Sequence, residues 1–114
     1  MNIGSMAEDQ ALAYLQEKGM SLVTRNFSCR SGEIDLIMKQ SSTIVFVEVR
    51  YRKNSRYGSP QESVGLRKQR RIINCASYYL TINKINKAAR FDVVAITPKN
   101  GTLDIDWIPD AFQT

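Results

Sequence analysis

Asp35 and Glu48 are the two residues of this chain whose types and spacing could do chemistry together. Asp35 lies in Glu33-Ile34-Asp35-Leu36-Ile37-Met38, and Glu48 lies in the run from Thr43 to Arg52. Alternation in the first segment and the β-branched and aromatic content of the second predict two strands. The polar stretch Lys39 to Ser42 makes them a hairpin. A loop of even length centred between Ser41 and Ser42 sets Asp35 opposite Glu48, Glu33 opposite Arg50 and Ile37 opposite Phe46. A slip by one residue would turn charges onto the valine face, so side-chain parity favours this register. It puts Ile34, Leu36 and Met38 on one side of their strand and Glu33, Asp35 and Ile37 on the other. In the second strand Val45, Val47 and Val49 back onto Ile44, Phe46, Glu48 and Arg50.

Two carboxylates facing each other across a sheet repel by a few tenths to about 1 kcal/mol. A cation between them removes that cost. Their hard oxygens suit Mg²⁺ or Mn²⁺, with waters and a substrate phosphate completing the shell; such an ion polarises a phosphodiester and lowers the pKa of an attacking water. Spacing alone leaves a second reading open. Glu33 with Arg50, and Asp35 or Glu48 with a basic helix residue, would form a charge ladder of little weight at a surface.

Other chemistries are excluded by composition. The chain has no histidine, which removes Ser-His-Asp and Cys-His catalysis, two-histidine nucleases and zincins together. Its two cysteines, Cys29 and Cys75, form no C-x-x-C pair, so a four-ligand zinc site is out of reach and free thiols are expected. The net charge of +5 is concentrated: eight basic residues stand between Arg50 and Arg71 against Glu62 alone. Such a block, Arg52, Lys53, Arg56, Arg67, Lys68, Arg70 and Arg71 above all, is the footprint of a phosphate-backbone binder or simply a solvated face.

The elements that must position these residues follow from periodicity. Residues 6–18 predict a helix in which Ala11, Leu12 and Leu15 share a face and Gly19 marks the stop. Glu8 lies on that apolar face, either as a first-turn acid favoured by the helix dipole or aimed at something buried. Ser21 to Phe27 reads as a strand, with a turn at Ser28–Gly32 before the hairpin. Ser59-Pro60-Gln61-Glu62 fits a capping box, although Gly65 allows the second helix to begin near Leu66. From there to about Asn83, Ile72, Ile73, Ala76, Tyr79 and Leu80 form an apolar stripe, and Gln69 sits directly ahead of it on the inward face. Phe91 to Thr97 and Leu103 to Ile108 are two further strands around the turn Pro98–Gly101.

As a set, Gly32-Glu33-Ile34-Asp35-Leu36-Ile37, Phe46-Val47-Glu48-Val49-Arg50-Tyr51-Arg52, Lys68-Gln69-Arg70-Arg71 and Arg90-Phe91-Asp92-Val93-Val94-Ala95 resemble the YraN family of small bacterial proteins. Its members are similar to Holliday-junction resolvases and other PD-(D/E)xK nucleases. The match runs in order from about Ala7 to Phe112. The resemblance implies a restriction-endonuclease-like α/β fold: a helix, a three-stranded meander, a second helix and two more strands, in a mixed sheet flanked by helices. It also implies that Asp35 is the motif aspartate, Glu48 the second acid, Glu8 a helix acid completing the metal site, and Gln69 a glutamine that orders it. Arg50 stands where such nucleases usually carry a lysine. Arginine stays charged, so it can steady a pentacovalent phosphate but cannot exchange a proton.

The length of 114 residues fits one domain spanning 1–114, and no apolar run approaches the roughly 18 residues of a bilayer span. No basic and apolar leader opens the chain, so a cytoplasmic protein is expected. The leading expectation is a Mg²⁺- or Mn²⁺-dependent endonuclease acting on structured, branched DNA, with Asp35, Glu48 and Glu8 on the metal. The alternatives are a nucleic-acid-binding module that keeps the fold without cleavage, and an interaction subunit for an acidic protein. DNA is the expected partner ahead of RNA, and a resolvase-like cut of two strands would suit a two-fold homodimer.

Overall fold

The computed structural model describes residues 3–53 and 64–114. The capping box at Ser59–Glu62 and the phosphate contact expected of Arg56 lie outside the described residues. The elements run α1 (Ile3–Glu17), β1 (Ser21–Cys29), β2 (Gly32–Gln40), β3 (Thr43–Tyr51), α2 (Leu66–Ile82), β4 (Ala89–Lys99) and β5 (Thr102–Phe112). The five strands form one mixed sheet in sequence order, antiparallel except where β3 and β4 run parallel across the α2 crossover. This is the expected α/β architecture of helix, meander, helix and two strands. No helix among the described residues is long and apolar enough to cross a membrane.

Each helix covers one sheet face. Ala7, Ala11 and Leu15 of α1 pack with Met20, Leu36, Met38, Val45, Val47, Val94 and Ile96, while Ile72, Cys75, Ala76 and Tyr79 of α2 pack with Ile37, Ile44, Phe46, Phe91 and Val93. The period-2 alternation of β3 therefore splits its side chains between two cores, as the sequence pattern demands. Helix α1 stops where Gly19 takes φ +96 and the Met20 amide donates back to the Leu15 carbonyl at 3.1 Å. Met20 then buries against Leu15, the hydrophobic contact that accompanies this kind of C-terminal cap. The β4–β5 hairpin turns on Asn100 (φ +50) and Gly101 (φ +79), residues suited to left-handed backbone. Both cysteines are free thiols, Cys75 buried and Cys29 half-buried.

The β2–β3 register follows the sequence reading, with Ile37 opposite Phe46 and Gln40 opposite Thr43. The face assignment in β2 needs correction at one point. Ile34 packs with Ile37 beneath α2, not with Leu36 and Met38 beneath α1. The alternation slips because β2 leaves β3 after the Leu36–Val47 pair, and on its other side β1 is distorted at Asn26, which takes φ +52.

Candidate functional site

The place where β2 and β3 separate is where Asp35 sits. With the backbone ladder ended at Leu36–Val47, the Val49 amide donates instead to Asp35 Oδ2 at 2.8 Å. A side chain thus stands in for a main-chain acceptor, and the strands open around it. Glu48, next to Val49, is 3% exposed in its side chain and faces Lys68 Nζ at 2.6 Å and Arg50 Nη1 at 3.9 Å. Burial, the charge of Glu48 and a hydrogen bond between the two carboxyl groups push Asp35 up to about 7.

From the other side α1 brings Glu8. Carboxylate oxygens of Glu8, Glu33 and Asp35 lie within 4.8 Å of one another, a spacing at which one ion can touch all three. Burial, then the charge of Asp35, raises Glu8 above the usual carboxylate range. Arg25 from β1 partly offsets this, with Nη2 3.4 Å from Glu8 Oε1 and Nη1 2.8 Å from Asp9 Oδ1. The Asn26 amide, oriented by its surroundings with nitrogen toward the acids, donates to Glu8 at 3.0 Å and to Glu33 at 3.3 Å. The distortion at Asn26 thus places a donor between two acids.

The expected residues are therefore brought together in part. Asp35, Glu48, Glu8 and Arg50 converge as the sequence suggested. Glu33 does not pair with Arg50; it accepts from Ser28 Oγ at 3.3 Å and joins the acidic cluster, because β2 has turned away from β3 before reaching it. Gln69 is half-buried as expected, but its Nε2 donates to the Val64 carbonyl at 2.8 Å. It ties down the start of α2, which has no side-chain cap at Gly65.

Lys68 was legible as one cation of the block and, without being singled out, as a basic helix residue able to pair with Asp35 or Glu48; it pairs with Glu48. Packing of α2 on the sheet carries it to Glu48, which puts a lysine beside the acids. A cleft of about 290 Å³ opens here, lined by Gly32, Glu33, Asp35, Glu48, Lys68, Arg71 and Ile72. Arg67, Arg70, Arg71 and Lys53 are exposed, while Arg52 is half-buried with its amide on the Ile96 carbonyl at 2.9 Å. Among the described residues the basic block thus divides into a lysine paired with Glu48, a half-buried arginine just past the end of β3, and solvent-facing cations of which Arg71 lines the cleft.

Asp92 carried no separate signal beyond its motif. It is fully buried on β4 and takes Arg90 Nε at 3.0 Å and Nη2 at 3.3 Å, Trp107 Nε1 at 2.9 Å and the Asp110 amide at 2.9 Å. The i, i+2 spacing of Arg90 and Asp92 on one strand face is the sequence trace of half that network.

The model of the uncharacterised protein family UPF0102 matches residues 7–96. A UPF0102 protein of Psychromonas ingrahamii is 51% identical over 110 residues, covering 96% of this chain and 88% of the relative. One from Nitrosococcus oceani is 47% identical over 112 residues (96% and 90%), and one from Stutzerimonas stutzeri 45% identical over 113 (97% and 94%). Glu8, Glu33, Asp35, Glu48, Arg50, Lys68 and Gln69 all lie inside the matched span.

Proposed function

This chain belongs to the uncharacterised protein family UPF0102, the YraN family, and from that premise we propose that it is a divalent-metal-dependent endonuclease acting on structured DNA. One observation carries the reading. Asp35, at the split between β2 and β3, lies between Glu8 and Glu33 on one side and Glu48 with Lys68 on the other. The order of helix, meander, helix and two strands suits a restriction-endonuclease-like core.

The donor set fits a hard cation. Glu8, Glu33, Asp35 and Glu48 offer only carboxylate oxygens, crowded enough that Asp35 keeps a proton to about 7. Asp35, Glu48 and Glu8 are the proposed ligands, with Glu33 as a fourth. Mg²⁺ or Mn²⁺ bound there supplies Lewis-acid activation of a phosphodiester and of water. Arg50, whose Nε is buried without a hydrogen-bond partner among the described residues, is a fixed cation for charge building on phosphorus. Lys68, held at the cleft by Glu48, is a second cation beside the acids. Gln69 is a positioning residue, keeping the first turn of α2, and hence Lys68, against the sheet. Arg67, Arg70 and Arg71 grip the phosphates on either side, as Lys53, Arg52 and Arg56 would along the preceding segment.

A second reading is favoured by the Lys68–Glu48 contact at 2.6 Å, which neutralises one acid from within: a binding module that keeps this site without cleavage. A screen of branched, flap, single-stranded and duplex DNA with Mg²⁺ and Mn²⁺, paired with isothermal titration of Mn²⁺, separates the two. Metal-dependent cleavage that disappears in Asp35→Asn supports the endonuclease. Salt-dependent binding with no cleavage of any substrate moves the assignment to the binding module.

A further inference from the structure

We propose that a second pocket, beside the carboxylate cleft, receives an unpaired nucleobase, so that the substrate is a nucleic acid with a single-stranded or splayed end and not an uninterrupted duplex. This rests on the nucleic-acid reading above and specifies its substrate class. The pocket, about 400 Å³, lies between the β1–β2 turn and α2 and is lined by Ser28, Cys29, Arg30, Ser31, Asn74 and Tyr78. Its walls combine an aromatic ring and a thiol with hydroxyl, amide and guanidinium groups. A flat heteroaromatic ring with polar edges needs that mixture.

Tyr78 is what suits the pocket to a base. It is 52% exposed, unusual for so large a ring. Phe27 supports it at a centroid distance of 6.3 Å and a tilt of 32°, and Phe27 is itself held edge-on by Tyr79 at 5.0 Å. The ring is thus backed by the core and open toward solvent, as a stacking platform must be. Bases within a duplex hide their faces in the stack, so only an unpaired base can meet it.

The pocket also continues the cleft. Lys68, Arg71, Asn74 and Tyr78 succeed one another along one side of α2, the first two lining the cleft and the last two the pocket. On the opposite wall the β1–β2 hairpin gives Gly32 and Glu33 to the cleft and Ser28 to Ser31 to the pocket. From Arg71 to Tyr78 the helix rises about 10 Å. A strand whose phosphate lies at the carboxylates therefore passes Arg71 and Arg30 before its neighbouring base reaches Tyr78.

The test is a binding titration of the full chain in EDTA, which suppresses cleavage, using a labelled blunt DNA duplex, the same duplex with a short unpaired DNA tail, and the same with an RNA tail. Each tail carries 2-aminopurine. The tailed duplexes should bind about tenfold more tightly than the blunt one, with quenching of 2-aminopurine. Tyr78→Ala should lose that preference and the quenching while keeping its affinity for the blunt duplex, and Tyr78→Phe should retain both. Quenching confined to one kind of tail keeps the proposal and identifies the sugar. Equal binding of blunt and tailed probes, or a preference that survives Tyr78→Ala, overturns the pocket and leaves the nucleic-acid reading standing. Failure to bind any probe overturns both.

Discussion

Asp92 and Asp35 are both aspartates set into the sheet of one small protein, and their surroundings differ in a way that separates structure from function. Asp92 is sealed on the α1 face, where Arg90, Trp107 and the Asp110 amide place four donors on its two oxygens. Its charge is matched and its lone pairs are used. Asp35 has one backbone donor, from Val49, and is surrounded by Glu8, Glu33 and Glu48. Nearby acids there outnumber the donors that reach it. A carboxylate saturated by the fold has nothing left to offer a ligand, whereas one crowded by its own kind stores a repulsion that a cation or proton relieves.

The largest effect is expected at Asp92. Asp92→Ala leaves Arg90 without its bidentate partner and the Trp107 and Asp110 N–H groups without acceptors, so it should cost about 3–5 kcal/mol of stability, read as a large fall in the denaturant midpoint. A loss below about 1 kcal/mol would show that the network is dispensable.

Asp35→Asn should do the opposite. An amide oxygen can still accept from Val49, so the fold should hold, while Mn²⁺ binding disappears and metal-dependent cleavage falls by on the order of 10²-fold or more, the scale of one missing transition-state interaction. Titration calorimetry and a cleavage assay on the same sample check this; unchanged Mn²⁺ affinity would sink the ligand assignment.

The third expectation concerns pH. Asp35 ionises at 3.8 ordinarily and at about 7 in the folded chain, so between those values the folded state holds a proton that the unfolded state has released. Stability must therefore fall as pH rises from about 4 to about 7, and Glu8, raised in the same direction, adds to the slope. Thermal melts should show Asp35→Asn gaining on the wild type across this window and matching it below about pH 4. Because a cation competes with that proton, Mn²⁺ affinity should strengthen through the same window. A flat difference between the two proteins would mean that Asp35 is not crowded.

The smallest effect belongs to the exposed cations. Replacing Arg67 and Arg70 with glutamine should weaken nucleic-acid binding irrespective of sequence and lower the salt slope by about one for each phosphate no longer neutralised. It should leave both aspartate environments untouched. Helix stability should rise by a few tenths of a kcal/mol, since cations in a first turn oppose the helix dipole.

Much of this contrast was legible before folding, though unevenly. The period-2 pattern from Thr43 to Arg52 and the even loop at Ser41–Ser42 sufficed to place Ile37 opposite Phe46 and Asp35 beside Glu48. Helical spacing sufficed to turn Glu8 and Gln69 inward. These are local regularities, carried by residues a few positions apart.

What only the tertiary structure decided depends on segments far apart in the chain. Lys68 meets Glu48 because α2 crosses back over the sheet; Glu33 joins Glu8 because β2 leaves β3 at Asp35; Asp92 is saturated because β5 returns Trp107 and Asp110 to it. Alternation specifies which side of its own strand a residue takes, and even that fails at Ile34, where the ladder ends. Which partner waits on that side is set by how helices and strands pack against one another, and no spacing within a single segment encodes it.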